Sequence, residues 1–123
     1  MTATAKSYSW NDMPLESLNP LLDRRVISGE RMMIAQVLLK KGSVVPQHSH
    51  DNEQITFIVS GALRFLLGED QDEEVVVRSG GVLVIPSNLP HSAEALEDTV
   101  DVDIFCPPRE DWLDGSDDYL RQD

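Results

Sequence analysis

Three histidines are the only imidazoles in the chain, and two of them, His48 and His50, stand one residue apart. On an extended strand that spacing turns both rings to one face and Ser49 to the other. Two neutral imidazoles on one face are a natural pair of ligands for a divalent metal. Pro46 precedes the pair and Asp51-Asn52 follows it, so the pair stands at a strand end beside a turn. Glu53 and Gln54 come next and both offer oxygen donors; alternation does not choose between them, because a turn at Asp51-Asn52 can break the register. His91 follows a second turn, Pro86-Ser87-Asn88-Leu89-Pro90, at the start of a new run, where an antiparallel neighbour can set it opposite the first pair. Further on, Val100 to Phe105 alternates apolar with polar, so Asp101, Asp103 and Phe105 share a face. If that face lines an interior, a carboxylate on it can act as a general base beside the metal; if it faces water, both acids are simply solvated. Arg109 follows the stiff Pro107-Pro108 pair. A guanidinium held there can grip a carboxylate through two parallel hydrogen bonds, or pair with Glu110 or Asp111 at the surface.

The elements that must carry these residues read as strands. Turn-forming residues recur at Gly42, Pro46, Asp51-Asn52, Ser60-Gly61, Gly68, Gly80-Gly81 and Pro86 to Pro90. Between them lie short runs rich in β-branched and aromatic residues: Gln54 to Val59, Ala62 to Leu67, Glu74 to Arg78, Val82 to Ile85 and Val100 to Phe105, with Val26-Ile27 and Arg31 to Leu39 upstream. Short strands with a turn about every 8–12 residues predict an all-β sandwich or barrel. Met1 to Pro20 reads as a polar arm with Trp10, Met13 and Leu15 as anchors, and the C-terminal stretch after Arg109 as a short helix or turn tacked down by Trp112 and Tyr119. The acidic clusters Glu69-Asp70, Asp72 to Glu74 and Asp117-Asp118 read as solvated loops, Arg64 and Arg78 as strand-surface charges, Met32 and Met33 as core or interface packing, and Cys106 as a small apolar filler opposite Phe105.

Composition bounds the rest. At 123 residues the chain makes one domain, spanning 1–123 with a core from about 24 to 106. Ten basic against 22 acidic residues give a net charge of −12, which argues against nucleic acid, where clustered Lys/Arg are needed, and against an anionic membrane surface. One cysteine provides neither a disulfide framework nor a cysteine-based zinc site. The first residues lack the apolar core of a signal peptide, so the expected compartment is the cytoplasm. The apolar anchors of the arm, together with edge strands that need covering, predict a homodimer.

The spacing also carries a resemblance. Gly42, five residues, His48, one residue, His50, three residues, Gln54, six residues and Gly61 look like the first motif of the cupins; Gly80, five residues, Pro86, one residue, Asn88, two residues and His91 look like the second. The resemblance covers roughly Met33 to Phe105. It implies a double-stranded β-helix, the jelly-roll barrel, around one metal ion held by His48, His50, His91 and the residue at the fourth position, where the family usually has Glu and this chain has Gln54. Nickel, zinc, manganese and iron all suit such donors. Asn88 stands where the family has Gly, acceptable because Asn also visits positive φ, and Ala95 where it usually has Asn. Asp103 to Asp111, Arg24-Arg25-Val26, Met32-Met33 and Glu53-Gln54 with Ser60-Gly61 further resemble the uronate-linearising, KdgF-type cupins of pectin degradation. That resemblance implies a small anionic substrate, a 4,5-unsaturated monouronate converted to its linear keto form, with Asp103 and Arg109 taking part in catalysis and Phe105 in holding the sugar ring. The acidic loop Glu69 to Glu74 and the tail beyond Asp111 depart from the pattern. A metal-dependent dioxygenase, or a non-catalytic module that binds metal and a small acid, are the competing readings.

Overall fold

In the computed structural model, which describes residues 3–121, ten strands form two antiparallel sheets. The strands are β1 (Glu16–Asn19), β2 (Leu22–Ser28), β3 (Met33–Leu39), β4 (Val44–His48), β5 (Glu53–Ser60), β6 (Ala62–Leu67), β7 (Glu73–Arg78), β8 (Val82–Ile85), β9 (His91–Ala95) and β10 (Thr99–Cys106). Six of them form one sheet in the order β1-β2-β3-β10-β5-β8, and four form the other in the order β4-β9-β6-β7. This is the expected all-β jelly roll. Strands distant in sequence pair with one another, β3 with β10 over Met33 to Leu39 inside the larger sheet and β4 with β9 over Val44 to His48 at the edge of the smaller one.

Period-two patterning places the core. On β3, Met33, Ala35, Val37 and Leu39 point inward. They join Ile58 of the same sheet and Leu63, Phe65 and Val77 of the four-stranded sheet in one buried cluster. Turn chemistry fixes the joints. Gly61 has φ +96, and a Cβ there would come within 2.4 Å of the Thr99 hydroxyl, so only glycine joins β5 to β6 this tightly. Asn88 adopts φ 66, the left-handed conformation expected for it.

Several readings of the sequence need correction. The N-terminal arm is not all loop: Glu16–Asn19 pairs with β2 as an edge strand, held by an ion pair from Arg24 Nε to Glu16 Oε1 at 2.8 Å; Met1 and Thr2 lie outside the described residues. Cys106 is exposed rather than a filler, because β10 turns Phe105 inward and its neighbour out. Met33 is buried, but Met32 is exposed. Arg64 stays at the surface, against Glu74 and Glu94.

The C-terminal segment, a short helix α1 (Glu110–Asp114) and a 3-10 turn (Asp118–Leu120), makes a seam that reaches both β1 and β4, each the edge strand of its sheet, through Leu120 on Asn19 and Tyr119 on His48. Trp112 and Leu120 are buried, and Asn19 Nδ2 donates to the Leu120 carbonyl at 2.9 Å. Asp117, read as part of a solvated acidic loop, is wholly buried; it pairs with Arg24 at 2.6 Å and with Arg121 at 2.8 Å. Arg24 is likewise fully buried, its guanidinium 4.4 Å above the Trp112 ring. The expected anchoring of this segment by Trp112 and Tyr119 therefore holds, but the buried cation that receives it is Arg24. The parity of Arg24 with Leu22 on β2 was the signal that could have found it.

Candidate metal centre

His48 ends β4, His50 lies in the turn that follows, and His91 opens β9. Their meeting is a matter of register. His48 is opposite His91 in the β4–β9 pairing, after an irregularity between Val45 and His48. That interval contains Pro46, which has no N–H to give a ladder. Asn52 then anchors the turn, its side-chain amide donating to the Pro108 carbonyl at 3.2 Å. The three rings have centroids 4.3, 5.1 and 5.6 Å apart, and one nitrogen from each lies within 4.8 Å of the others.

Each ring is fixed in the same way. Nδ1 of His48, His50 and His91 donates to the backbone carbonyl of Pro46, Asn52 and Leu89 respectively, at 2.8–2.9 Å. A carbonyl only accepts, so all three Nδ1 atoms carry the proton and all three Nε2 lone pairs are free. Burial disfavours the charged form: it pushes His48 down to about 3 and His50 down to about 4, and also lowers His91. The three are neutral at pH 7, as metal ligands must be.

Gln54, not Glu53, points inward from β5; Glu53 is exposed. The Gln54 amide is oriented by a chain of hydrogen bonds. Its Nε2 donates to Thr56 Oγ1 at 2.8 Å, and that hydroxyl donates to Asp103 Oδ1 at 2.8 Å. Oε1 is thereby left facing His50 Nε2 at 3.1 Å. Two acceptors face each other there, and His91 Nε2 is buried with no partner. A divalent cation between them would satisfy all of these lone pairs at once, so the donor set fits the metal: three imidazole nitrogens and one amide oxygen.

Asp103 and Asp101 both face inward from β10 and are buried. Burial pushes both carboxyls up; the Asp103 charge pushes Asp101 well above the usual range, while hydrogen bonds from Asp101 and Thr56 partly restrain Asp103. The pair therefore holds a proton more readily than a solvated acid would. Phe105 sits edge-on to His50, centroids 5.8 Å apart. Arg109 is buried, with Cζ 5.1 Å from the Phe105 centroid. It is no surface residue, but it has the partner foreseen for it: Nε and Nη2 donate to the two carboxylate oxygens of Asp111 at 3.0 and 2.8 Å, and Nη2 also to the Tyr119 hydroxyl. Nη1 is buried and unpartnered. Tyr119 stacks on His48 at 4.5 Å between centroids. The sequence signalled nothing of Thr56 as the link between Gln54 and Asp103, nor of Tyr119 as a cover on His48. Both depend on contacts between segments far apart in the chain.

Gln54, Asp103, Phe105, Arg109, His48 and His91 line one interior cavity of about 50 Å³. Trp112 and Tyr119 of the C-terminal segment form part of its wall. Among the described residues, no helix is long and apolar enough to cross a membrane.

A family model described as a cupin domain matches residues 35–107. No curated protein matches the sequence. Among solved structures, KdgF from Halomonas sp. superposes with a TM-score of 0.82 at 27% identity, over 89% of this chain and 100% of that one. An RmlC-like cupin from Shewanella frigidimarina NCIMB 400 gives 0.79 at 21% identity, over 88% of this chain and 96% of that one. A Bacillus subtilis oxalate decarboxylase, with Mn(II) centres, gives 0.74 at 21% identity; 91% of this chain matches only 35% of that one. At that identity the last two likenesses speak to the fold.

Proposed function

The chain belongs to the cupin domain family, and we propose that it is a metal-dependent enzyme acting on a small carbohydrate acid, converting a 4,5-unsaturated monouronate to its linear keto form. The observation that carries this reading is the convergence, on one cavity, of two members of the histidine cluster, His48 and His91, with Gln54, Asp103, Phe105 and Arg109. The likeness to KdgF from Halomonas sp. points the same way. His48, His50, His91 and Gln54 would hold the ion, with no carboxylate among them. A dication without anionic ligands is a strong Lewis acid and a good anchor for an anionic substrate.

The rest is the work of the chain. Hydrating the enol ether places a proton on C4 and a water oxygen on C5, and the hemiketal so formed opens to the keto acid. Asp103, whose raised pKa suits both giving and taking a proton, is the group for that transfer, and Thr56 holds its Oδ1 in place. Phe105 offers an apolar wall to the ring. Arg109 binds the substrate carboxylate, starting from the free Nη1 and exchanging Asp111 for the substrate at the other edge. The net charge of −12 opposes attraction of an anion from afar, but that field is screened within about 8–10 Å in physiological salt.

A cavity of about 50 Å³ is far below the roughly 150 Å³ that houses a benzene ring. A six-carbon acid therefore enters only when the C-terminal segment moves out of the seam. The same volume favours a second reading, a module that binds metal and an acid of two or three carbons without turning it over. Incubating the protein, loaded in turn with nickel, zinc, manganese and iron, with 4,5-unsaturated galacturonate separates the two. The first reading expects loss of the ene absorbance and appearance of the keto acid. No turnover with any metal, alongside saturable binding of oxalate, gives the site to the second.

A further inference from the structure

Beside the cavity stands a hydroxyl whose own proton is not engaged. Two donors converge on the Tyr119 oxygen: Arg109 Nη2 at 2.8 Å and Trp112 Nε1 at 3.2 Å. An indole N–H and a guanidinium donate and cannot accept. Both bonds therefore occupy lone pairs of the phenol, and neither takes its hydrogen. Among the described residues the hydroxyl makes no third hydrogen bond. A phenol keeps its proton at neutral pH, so a donor is left over. Tyr119 and Arg109 both line the cavity.

The guanidinium fixes where that donor lies. Nε and Nη2 of Arg109 grip the two carboxylate oxygens of Asp111, a fork that uses the Nη2 hydrogen on the Nε side. The bond to Tyr119 therefore uses the other Nη2 hydrogen, which lies on the side of Nη1. The hydroxyl thus stands at the Nη1–Nη2 edge, and Nη1 is buried without a partner. A ligand oxygen seated on Nη1 is a neighbour of the phenol hydrogen. The ring that carries it is held in place as well. It stacks on His48 with centroids 4.5 Å apart. Asp117 and Leu120 flank it in the chain, both buried. Asp117 is paired with Arg24 and Arg121, and the Leu120 carbonyl accepts from Asn19. A donor fixed in this way loses little freedom when it binds.

We propose that Tyr119 is a ligand-binding residue: its hydroxyl donates to the carboxylate of a small acid whose other contact is Arg109 Nη1. The proposal rests on the reading of Arg109 as the anchor of that acid. It adds a neutral second donor at the edge that Asp111 leaves open. The chemistry selects an anion. An incoming group meets a guanidinium N–H and a phenol O–H whose oxygen is already saturated with donors, so a carboxylate satisfies both, while the N–H hydrogens of an amide would find no acceptor there. Tyr119 belongs to the C-terminal segment, so an acid that enters with the segment displaced gains this bond only when the segment returns.

Calorimetric titration of the metal-loaded full chain with oxalate tests this, with metal content read before and after. Tyr119→Phe keeps the ring on His48 and removes the hydroxyl. The dissociation constant should rise about tenfold or more, the loss expected for one hydrogen bond to a charged group, with circular dichroism and metal content unchanged. A second variant separates donating to the acid from merely holding Arg109 and Trp112. Replacing Tyr119 with para-methoxyphenylalanine keeps an oxygen that accepts and leaves no proton to give, and it should weaken oxalate as much as Tyr119→Phe does. Tyr8→Phe, at an exposed position of the arm, should bind as the wild type does. Wild-type affinity in Tyr119→Phe overturns the proposal. Wild-type affinity in the methoxy variant beside weak binding in Tyr119→Phe also overturns it, and makes the hydroxyl a positioning group for Arg109. Arg109→Lys in the same titration keeps the two readings apart. If it weakens oxalate while Tyr119→Phe does not, this inference alone fails; if Arg109→Lys binds normally, or the wild type binds no oxalate with any metal, the anchor fails and this inference with it. Turnover of the unsaturated uronate enters none of these outcomes.

Discussion

On β5 the residues that point into the protein are Gln54, Thr56 and Ile58, while Ile55, Phe57 and Val59 point out. On β10 the inward set is Thr99, Asp101, Asp103 and Phe105, and the outward set Val100, Val102 and Ile104. Along these two paired strands the ordinary distribution is reversed, with polar groups in the interior and an apolar ladder toward water. The four-stranded sheet keeps the usual order: on β6, Leu63, Phe65 and Leu67 are buried and Arg64 reaches solvent against Glu74 and Glu94. The reversal is affordable inside only because the polar groups are joined to one another. A buried polar atom left without a partner costs about 1–3 kcal/mol, and Gln54, Thr56 and Asp103 avoid that through a continuous chain of hydrogen bonds. Two unpartnered atoms, His91 Nε2 and Arg109 Nη1, belong to residues that line the cavity, where a ligand would complete them.

The contrast is sharpest if substitutions on the two faces fail in different ways. The largest effect belongs to the interior. His48→Ala removes one of three imidazoles whose Nδ1 is already fixed by a backbone carbonyl, so metal content should fall from about one ion per chain to under a tenth of that on dialysis. Secondary structure should persist, since the apolar cluster around Ile58 and Leu63 does not depend on the imidazole. Metal analysis beside circular dichroism checks both statements. Full metal retention in His48→Ala would remove that residue from the ligand set.

Next comes Asp103→Asn, which keeps shape and can still accept the Thr56 hydrogen bond but cannot transfer a proton. Turnover of the unsaturated uronate should fall by about 10²–10⁴-fold, with metal content unchanged. Unaltered turnover would return Asp103 to a structural part in the interior network. Phe57, on the same sheet and one residue from Thr56 but facing out, should leave turnover and metal content unchanged when replaced by Ala.

The sequence made part of this arrangement legible and hid the rest for a definite reason. The strand that carries Gln54 was expected from Gln54 to Val59 and runs Glu53–Ser60; the last strand was expected from Val100 to Phe105 and runs Thr99–Cys106. Alternation gives strands and says which residues share a face, but not which face is inside. A rule of apolar inward would have turned Ile55, Phe57 and Val59 into the core and the ligand residue out. Only the spacing His48, His50, Gln54, His91, read through its resemblance to the cupin motifs, pointed to the polar face. β1 escaped notice because Glu16-Ser17-Leu18-Asn19 has one apolar residue; what holds it is pairing with β2 and ion pairs from Arg24 and Arg121. Asp117 escaped notice because its partner Arg24 is far away in the chain, and local composition carries no trace of such a pairing.

The smallest effect concerns the point where the C-terminal segment meets the cavity, and its sign matters more than its size. Asp111 holds the Nε and Nη2 edge of Arg109 with two parallel hydrogen bonds, the geometry a substrate carboxylate would use. Burial works against the Asp111 charge, but Arg109 holds its carboxyl below the usual range, so Asp111 is ionised at neutral pH and competes as a true carboxylate. If the substrate must displace it, Asp111→Asn weakens the competitor and lowers KM by about fivefold, equivalent to roughly 1 kcal/mol, while kcat changes less. If Asp111 instead holds Arg109 ready for the substrate, the same substitution raises KM. Arg109→Lys keeps the charge and loses the planar fork, so KM should rise in either case, and that variant shows whether the guanidinium meets the substrate at all. A fall in KM for Asp111→Asn together with a rise for Arg109→Lys identifies the inner-face arginine as the substrate's docking point and Asp111 as the group that occupies it in the closed seam. A rise in both makes the C-terminal segment a permanent part of the site's wall, and the acid it accepts must then fit a cavity of about 50 Å³.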